Sequence, residues 1–508
     1  MCNMKYAVLG AVLALSAFAG ATEARPGDDL QAILDRGEDL VLAKGQVYEI
    51  TKTLLSKTPG QKIYTANARF PSDYAILRLI NREEMMILNS MGKGTVIEHV
   101  IFDGDRYHLS VVPKPKIGGG GQPALVRFGG RGGDGQIVRD CVFMNTRTWS
   151  TLKMQQMAQH LVAENNLFFG AGVDPRGNGR DLNEVPFAWA DAISCASSNS
   201  VIRNNLIIDP TDVGVVLYAA AGTVVEDNVV ASISRESMGG VNMVDKYHLY
   251  ALNEEKTLIN YRGVKVRNNT IDAFGARIHM MLPVGCVVWV PHWRGNILTG
   301  GEVTGNILAG GAGGYGIVAH GITHWTITGN TSRAIYSGLA EYGDHPNSPD
   351  DPAPYLYDSA SVEDCTLQPE FVPAKRHIEH LLRTQHAPKD ENGYQMHDYG
   401  DAEIKAVVDA AYLEMLGRAP KKKEIKKSVK QLRSRKLNAD GLRRELMAGT
   451  EFKKQFGKIA PEELHPYRVK RWFGICDELL REKGRMPSAR KLYTDALEAL
   501  RIESNEND

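Results

Sequence analysis

A short pattern recurs along most of the chain: apolar residues, a polar pair that usually ends in Asn, and then alternating apolar residues, as in Val201–Ile208. Successive copies are 25, 39, 23, 41, 37 and 24 residues apart, so three steps share a unit of 23 to 25 residues. A unit of that length, with short period-2 segments, predicts one coil of a solenoid of parallel strands. The register marks of the seven copies are Cys141, Asn166, Asn205, Asn228, Asn269, Asn306 and Asn330.

The corners of such coils explain the glycine content. The chain has 50 glycines in 508 residues, a larger share than the roughly 7% of an average protein. Glycine turns the backbone without a Cβ, and Asn tolerates the left-handed conformation. In consecutive coils the Asn amides can also stack into a ladder.

On this repeat, residues 28–338 resemble the right-handed parallel β-helix proteins of the pectate-lyase-like superfamily. The resemblance implies a capping helix, for which Asp29–Leu34 is the candidate, followed by first strands at Leu40–Gly45 and Val47–Thr51. It implies the fold and leaves the function open, because this fold carries lyases, hydrolases, epimerases and binding modules.

From Ala402 the apolar period changes to 3.6, which predicts helices. Residues 411–452 resemble a bacterial helical domain of unknown function that is related to phycobilisome linkers. The expected fold is therefore mainly β, a right-handed parallel β-helix solenoid with a C-terminal α-helical domain. We predict a signal peptide at 1–24, the β-helix at 25–343, a linker or capping segment at 344–400, a helical domain at 401–460 and a helical tail at 461–508.

The signal peptide has Lys5, an apolar run too short to span a bilayer, and small residues at the cleavage site. No later segment is apolar for long enough to span, so we expect a secreted, periplasmic or cell-surface protein. The formal net charge is zero, but Asp401 to Lys458 holds 16 basic and 8 acidic side chains. These basic helices predict contact with an anionic cell envelope or matrix. Nucleic-acid-binding motifs are absent, and we expect no nucleic acid partner.

Three long insertions interrupt the coils, at about 170–186, 244–262 and 281–300, and the last two leave the same corner. They are rich in aromatic and basic residues. Aromatic faces stack on sugar rings, and Arg pairs with uronate or sulfate groups, so we expect an acidic polysaccharide as ligand. The candidate substrate-binding residues are Tyr247, Trp289, Trp293, Arg294, Arg176, Arg180 and Asn242.

For β-elimination on a uronate, one group must neutralise the carboxylate and a base must remove the adjacent proton. Arg277, Lys246 or a calcium ion could neutralise the carboxylate. His279, His248, Lys246 or Tyr247 could act as the base. Alternation along the strands predicts that Ser194, Asn242 and His279 point outward at the bases of the insertions.

Hydrolysis would need two carboxylic groups instead. Asp191 and Asp212 lie in consecutive coils, offset by one residue, and could form an acid pair or, with Asp245, a calcium site. Of these functions, the sequence favours a polysaccharide lyase. A glycoside hydrolase that uses Asp191 and Asp212, or a non-catalytic glycan-binding or adhesion module, remains the alternative.

Overall fold

The computed structural model describes residues 23–109, 124–172, 189–244, 258–285, 296–338, 352–375 and 400–502. Nearly all of the predicted signal peptide, residues 1–22, lies outside these ranges. Within them the chain folds into three long sheets of parallel strands, which stack coil upon coil into a parallel β-helix. No helix in these ranges is both long enough and apolar enough to cross a membrane.

Sheet A has 14 strands in the described part of the chain. They are Glu23–Ala24, Leu40–Leu42, Lys62–Thr65, Val96–Glu98, Ile137–Arg139, Val162–Glu164, Val201–Arg203, Val224–Glu226, Leu258–Asn260, Lys265–Arg267, Ile297–Thr304, Ile322–Thr328, Val362–Glu363 and Thr366–Leu367. Sheet B has 10 strands in the same ranges. They are Val47–Ile50, Ala75–Leu79, Val100–Asp103, Val142–Met144, Leu167–Phe169, Leu206–Ile208, Val229–Ala231, Thr270–Ala273, Ile307–Gly310 and Thr331–Ser332.

Sheet C has 11 described strands, and each full coil visits the sheets in the order A, B, C. The strands are Leu54–Ser56, Leu88–Ser90, Ala124–Gly129, Ser150–Gln155, Asp191–Cys195, Val213–Tyr218, Ser237–Val244, Ile278–Val284, Gly313–Ala319, Tyr355–Tyr357 and Val372–Pro373. Apolar side chains from all three sheets fill the space inside the coils. The fold predicted from the repeat is confirmed.

The Asn ladder runs through the corner between sheets A and B. Each buried amide group donates from Nδ2 to Oδ1 of the next Asn at 2.8 to 3.0 Å, and Gln368 ends the column. The left-handed residue is the one before each ladder Asn, for example Asn204 with φ 53° and Asp227 with φ 56°. The ladder residues are Asn166, Asn205, Asn228, Asn269, Asn306 and Asn330.

The solenoid begins with strand Glu23–Ala24, just before the predicted start at residue 25, and it also extends past the predicted end. Helix α1, Leu30–Asp35, packs Leu30 and Leu34 against the first coil, and the Asp29 carboxylate accepts a hydrogen bond from Ala32 N at 3.0 Å. At the other end, strands up to Val372–Pro373 continue beyond residue 343. Tyr355 packs into the solenoid core there, so part of the predicted linker is a further coil.

The remaining helices lie C-terminal to the solenoid, except for α2 at Arg106–Leu109. They are α3 Asp401–Leu416, α4 Lys422–Arg433, α5 Ala439–Ala448, α6 Thr450–Phe456, α7 Leu464–Lys483 and α8 Ala489–Ile502, with short 3₁₀ turns at Pro71–Asp73 and Pro461–Glu463. Helices α7 and α8 pack Trp472, Ile475 and Leu492 onto apolar side chains on the outer face of sheet B. The helical region is therefore a layer over sheet B.

A buried network of charges holds this layer to the solenoid. Glu414 of α3 accepts hydrogen bonds from Arg443 at 2.7 Å and from Arg468 at 2.6 Å, and Arg468 also reaches Asp209 of the solenoid at 3.0 Å. Arg443 donates to the carbonyl of Ile233 at 2.9 Å. All four charged groups are buried. Because an unpaired buried charge is costly, these contacts fix the helical layer in one position.

The outer face of sheet A is exposed and carries ion pairs between neighbouring coils. Its cations and carboxylates largely neutralise each other, which suits a solvated surface and leaves little unpaired charge for a ligand. The pairs are Glu98 with Arg139, Glu164 with Arg203, and Glu226 with Arg267.

Candidate functional site

The outer face of sheet C is the third face of the solenoid, and the long insertions adjoin it. Residues 110–123, 173–188 and 339–351 precede strands of this sheet, whereas 245–257, 286–295 and 376–399 follow strands of it. A strand of sheet C thus adjoins each of the three predicted insertions. The predicted common corner of the second and third insertions is where sheet C passes to sheet A.

A row of polar side chains, interrupted at Val216, crosses part of this face. The strand register aligns Asn89, Arg127, Lys153, Ser194 and, after Val216, Asn242. The residues on either side of Arg127, Lys153, Ser194 and Asn242, such as Leu152 and Met154, belong to the core. Because side chains alternate along a strand, the row points outward. Arg127 and Lys153 are only partly buried.

The two predicted carboxylic residues lie beside this row. Ser194 Oγ donates to Asp191 Oδ2 at 2.6 Å, although the two are three positions apart. Two consecutive core residues, Ala192 and Ile193, separate them, so strict alternation is interrupted and the two side chains meet. The pairing of Ile193 with Val215 puts Asp191 beside Val213, one residue from Asp212.

Hydrogen bonds tie Asp191 into the sheet but leave part of each carboxyl group available. Ser150 Oγ lies 2.5 Å from Ser194 Oγ, which extends the chain that ends at Asp191. The Oδ1 atoms of Asp191 and Asp212 have no hydrogen-bond partner among the described residues. The fully buried amide group of Asn242 likewise has no described partner at either atom. Buried polar atoms without partners are rare, so this face is suited to a polar ligand.

The environment shifts the pKa of three groups in the site. Burial raises the pKa of Asp191 above its usual range, and the Ser194 hydroxyl and the Lys153 charge only partly offset this rise. Burial and then the charge of Asp191 raise the pKa of Asp212. Burial, with the nearby Arg127 charge, lowers the pKa of Lys153 to about 8. The raised carboxyl pKa values favour retention of a proton on the pair, and the lowered pKa of Lys153 favours its neutral amine.

The structure buries two of the predicted catalytic residues. Arg277 is buried and pairs with Glu403 of α3, in the contact between the solenoid and the helical layer. His279 is fully buried, and its Nε2 contacts Glu236. The pairing of Met243 with Val284 puts Pro283 beside Asn242, so His279 lies four residues before the position that aligns with Asn242.

Many of the predicted residues lie outside the described ranges, including the aromatic and basic groups of the three insertions. These are Asp245, Lys246, Tyr247, His248, Trp289, Trp293, Arg294, Arg176 and Arg180. Conversely, Arg127 and Lys153 were not predicted. Their signal is the triplet of a polar residue between two core residues, Val126–Arg127–Phe128 and Leu152–Lys153–Met154, which matches Ile193–Ser194–Cys195.

A calcium site was the other interpretation of the carboxyl pair. The free Oδ1 atoms of Asp191 and Asp212 could supply two oxygen ligands, but calcium takes about six to eight. The described residues contain no group of three or more His, Cys, Asp or Glu side chains that could hold a metal ion. Lys153, whose charge acts on Asp191, would also repel a cation. The described carboxyl groups alone supply fewer ligands than calcium needs, and Asp245, the third predicted ligand, lies outside the described residues.

Comparison with known proteins finds similarity in fold. The alginate lyase from Paenibacillus sp. str. FPU-7 is 14% identical, with a TM-score of 0.40 over 61% of this chain and 96% of that chain. An endo-xylogalacturonan hydrolase from Aspergillus tubingensis is 10% identical, with a TM-score of 0.41 over 69% of this chain and 94% of that chain. A mutant tailspike protein of E. coli bacteriophage HK620, in complex with a pentasaccharide, is 12% identical, with a TM-score of 0.44 over 72% and 67%.

No family model matches the chain, and no curated protein matches it. The resemblance of the C-terminal part to a linker-related domain thus stays a prediction. The geometry defines a parallel β-helix protein with a helical layer on sheet B. Its candidate site, on the outer face of sheet C, combines two cationic side chains with a pair of carboxyl groups.

Proposed function

We propose that this protein is a carbohydrate-active enzyme that cleaves an acidic, uronate-containing glycan by β-elimination on the outer face of sheet C. The observation that carries this proposal is the row in which Arg127 and Lys153 stand in adjacent coils beside Asp191. The similar folds of an alginate lyase and of a pectin-type hydrolase are compatible with it. The signal predicted over 1–24 supports an exported enzyme, which suits a polymeric substrate.

The four groups can fill every role in an elimination. The guanidinium of Arg127 would pair with the uronate carboxylate and thereby make the adjacent C–H more acidic. Lys153, as a neutral amine, would accept that proton. The C–H electrons would form the new C=C bond as the bond to the glycosidic oxygen breaks. The protonated carboxyl group of the Asp191 and Asp212 pair would give its proton to that leaving oxygen.

Hydrolysis is the second candidate, favoured by the same carboxyl pair. One carboxyl group would protonate the glycosidic oxygen while the other, ionised, attacks the sugar or activates a water molecule. Arg127 and Lys153 would then only bind the uronates. Incubation with alginate, pectin and sulfated glycans distinguishes the reactions, because only elimination gives an unsaturated product that absorbs in the ultraviolet. New reducing ends without that absorbance would assign hydrolysis, and glycan binding without either product would assign a binding module.

Lys153→Met is expected to reduce elimination by about 10² to 10⁴, the usual contribution of a general base. The wild-type rate is expected to have a bell-shaped pH profile. It needs neutral Lys153, whose pKa burial lowers to about 8, and it needs a protonated carboxyl group, which is lost as the Asp191 and Asp212 pair ionises. Rates across neutral and alkaline pH measure both effects. Lys265→Met, on the exposed outer face of sheet A, is the control and should retain the wild-type profile. If the pH dependence of the rate in Lys153→Met matches that of the wild type, Lys153 is not the base.

The basic helices remain the proposed contact with an anionic envelope or matrix. Lys422, Lys426 and Lys430 line a shallow groove on α4 together with Ile425 and Val429, whereas Lys427 of the same helix pairs with Glu445. Replacing the three groove lysines with Gln should weaken binding to an acidic polymer several-fold at low salt, since each exposed charge contributes modestly. The same change at Lys453, Lys454 and Lys458, exposed on and after α6, is the control. Equal losses in both variants would mean that only net charge matters.

A further inference from the structure

Thr211 joins the two described stretches on either side of residues 173–188, and this junction is called the neck. Its buried hydroxyl donates to the carbonyl of Ala171 at 2.9 Å and accepts from the amide of Ala190 at 3.1 Å. Ala171 lies two residues before residue 173, and Ala190 lies two residues after residue 188. One side-chain oxygen therefore joins the two sides of the neck.

The neck leaves no room for a larger residue at Gly172. A Cβ there would lie 2.4 Å from both Ala190 N and Thr211 Oγ1, and the φ of 67° also favours glycine. Gly172 N donates to the carbonyl of Thr146 at 3.2 Å, and its own carbonyl accepts from Arg235 at 2.7 Å. The contacts of Thr211 are thus part of a close-packed junction between coils.

The Thr211 hydroxyl also helps to fix the backbone next to both residues of the carboxyl pair. Ala190 immediately precedes Asp191, and Thr211 immediately precedes Asp212. Ala190 N donates to Thr211 Oγ1, while Asp212 N donates to the carbonyl of Ala190 at 3.2 Å. Two hydrogen bonds in opposite directions therefore lock one dipeptide against the other and set the position of Asp191 relative to Asp212.

We propose that Thr211 is a positioning residue for the Asp191 and Asp212 pair. Its hydroxyl fixes the spacing and depth of the two carboxyl groups. This role rests on the proposed function, in which one of the pair gives a proton to the leaving oxygen. Thr211 touches neither the substrate nor the reacting atoms.

The test compares Thr211→Val, which keeps the shape and removes the hydroxyl, with Thr211→Ser, which restores it. Thr211→Val should lower kcat about tenfold with little change in KM, since misplaced catalytic groups lose rate rather than substrate affinity. Thr211→Ser should stay within about twofold of the wild type. The matched control is Thr223→Val. Thr223 is buried at the other end of the same coil, donates to Ser197 O at 3.2 Å and accepts from Ser200 N at 3.3 Å.

Two readouts do not require activity. Hydrogen exchange should show faster exchange of the Ala190 amide in Thr211→Val and wild-type protection in Thr211→Ser and Thr223→Val. The raised pKa of the pair makes the wild-type Tm fall as pH rises through it. That fall should be smaller in Thr211→Val, because a looser pair ionises more easily, and unchanged in Thr223→Val.

The outcomes separate this inference from the proposed function. Unchanged exchange at Ala190, or a Thr211→Val pH profile of Tm that matches the wild type, would overturn the positioning role. The expected exchange and Tm results in a protein that cleaves no acidic glycan would support the positioning of the pair and reject the proposed reaction.

Discussion

Asp191→Asn and Asp212→Asn should each reduce glycan cleavage by about 10² to 10⁴, the range expected for loss of a general acid or base. Asn has nearly the shape of Asp, so the hydrogen bond from Ser194 to residue 191 can persist, but the amide cannot supply the proton. Product formation on a polyuronate measures the loss. Asp227→Asn, at an exposed corner residue with φ 56°, makes the same chemical change away from the site and should be silent.

The same variants should be more stable than the wild type at alkaline pH. Burial raises the pKa of Asp191 and Asp212 in the folded protein above the unfolded value. The associated stability is complete below the unfolded pKa and is lost as pH rises through the folded pKa. Asn does not ionise, so Asp191→Asn should keep its Tm where the wild type falls, a gain of roughly 2–4 °C per kcal/mol. Reduced activity together with reduced Tm would contradict this and indicate a structural role for the carboxyl group.

Arg468→Met should destabilise the protein by about 3–5 kcal/mol, because it leaves buried carboxylates without their main partner. Burial acts to raise the pKa of Glu414, but the charges of Arg468 and then Arg443 lower it overall. Burial likewise acts to raise the pKa of Asp209, but other groups lower it overall, and the charge of Arg468 contributes most to this lowering. Both carboxylates thus favour the folded state above their unfolded pKa, and acid should remove this contribution as pH falls through the lowered values.

Calorimetry of Arg468→Met should show a lower Tm and a separate transition for the helical layer, since Arg468 joins α7 to both α3 and the solenoid. Arg485→Met, at an exposed residue after α7, removes the same charge from the surface and should change the Tm little. A single transition at the wild-type Tm in Arg468→Met would show that apolar contacts alone hold the layer.

The sequence predicts the solenoid well because its corners are periodic. The Asn residues mark the coils directly, and the pair Asp191 and Asp212 follows from a step of 23 residues with no insertion between them. The sequence misplaces His279 because the prediction aligns the strands of sheet C by their distance from the next ladder Asn. Segments of unequal length lie between those strands and the Asn residues, so equal distances do not correspond to paired residues. Arg277 could not be placed because its partner, Glu403, lies 126 residues away in α3.

The helical layer touches the solenoid at widely separated coils. Ser72 near one end contacts Asp477 and Arg481 of α7, whereas Ser337 near the other end packs against Gly400 at the start of α3. In an ordinary solenoid each coil contacts only its neighbours, so coils can be gained or lost by duplication or deletion. Here an added coil would move one end by about 4.8 Å relative to the layer. The number of coils between these contacts is therefore constrained, and variation in length is expected in the insertions along sheet C.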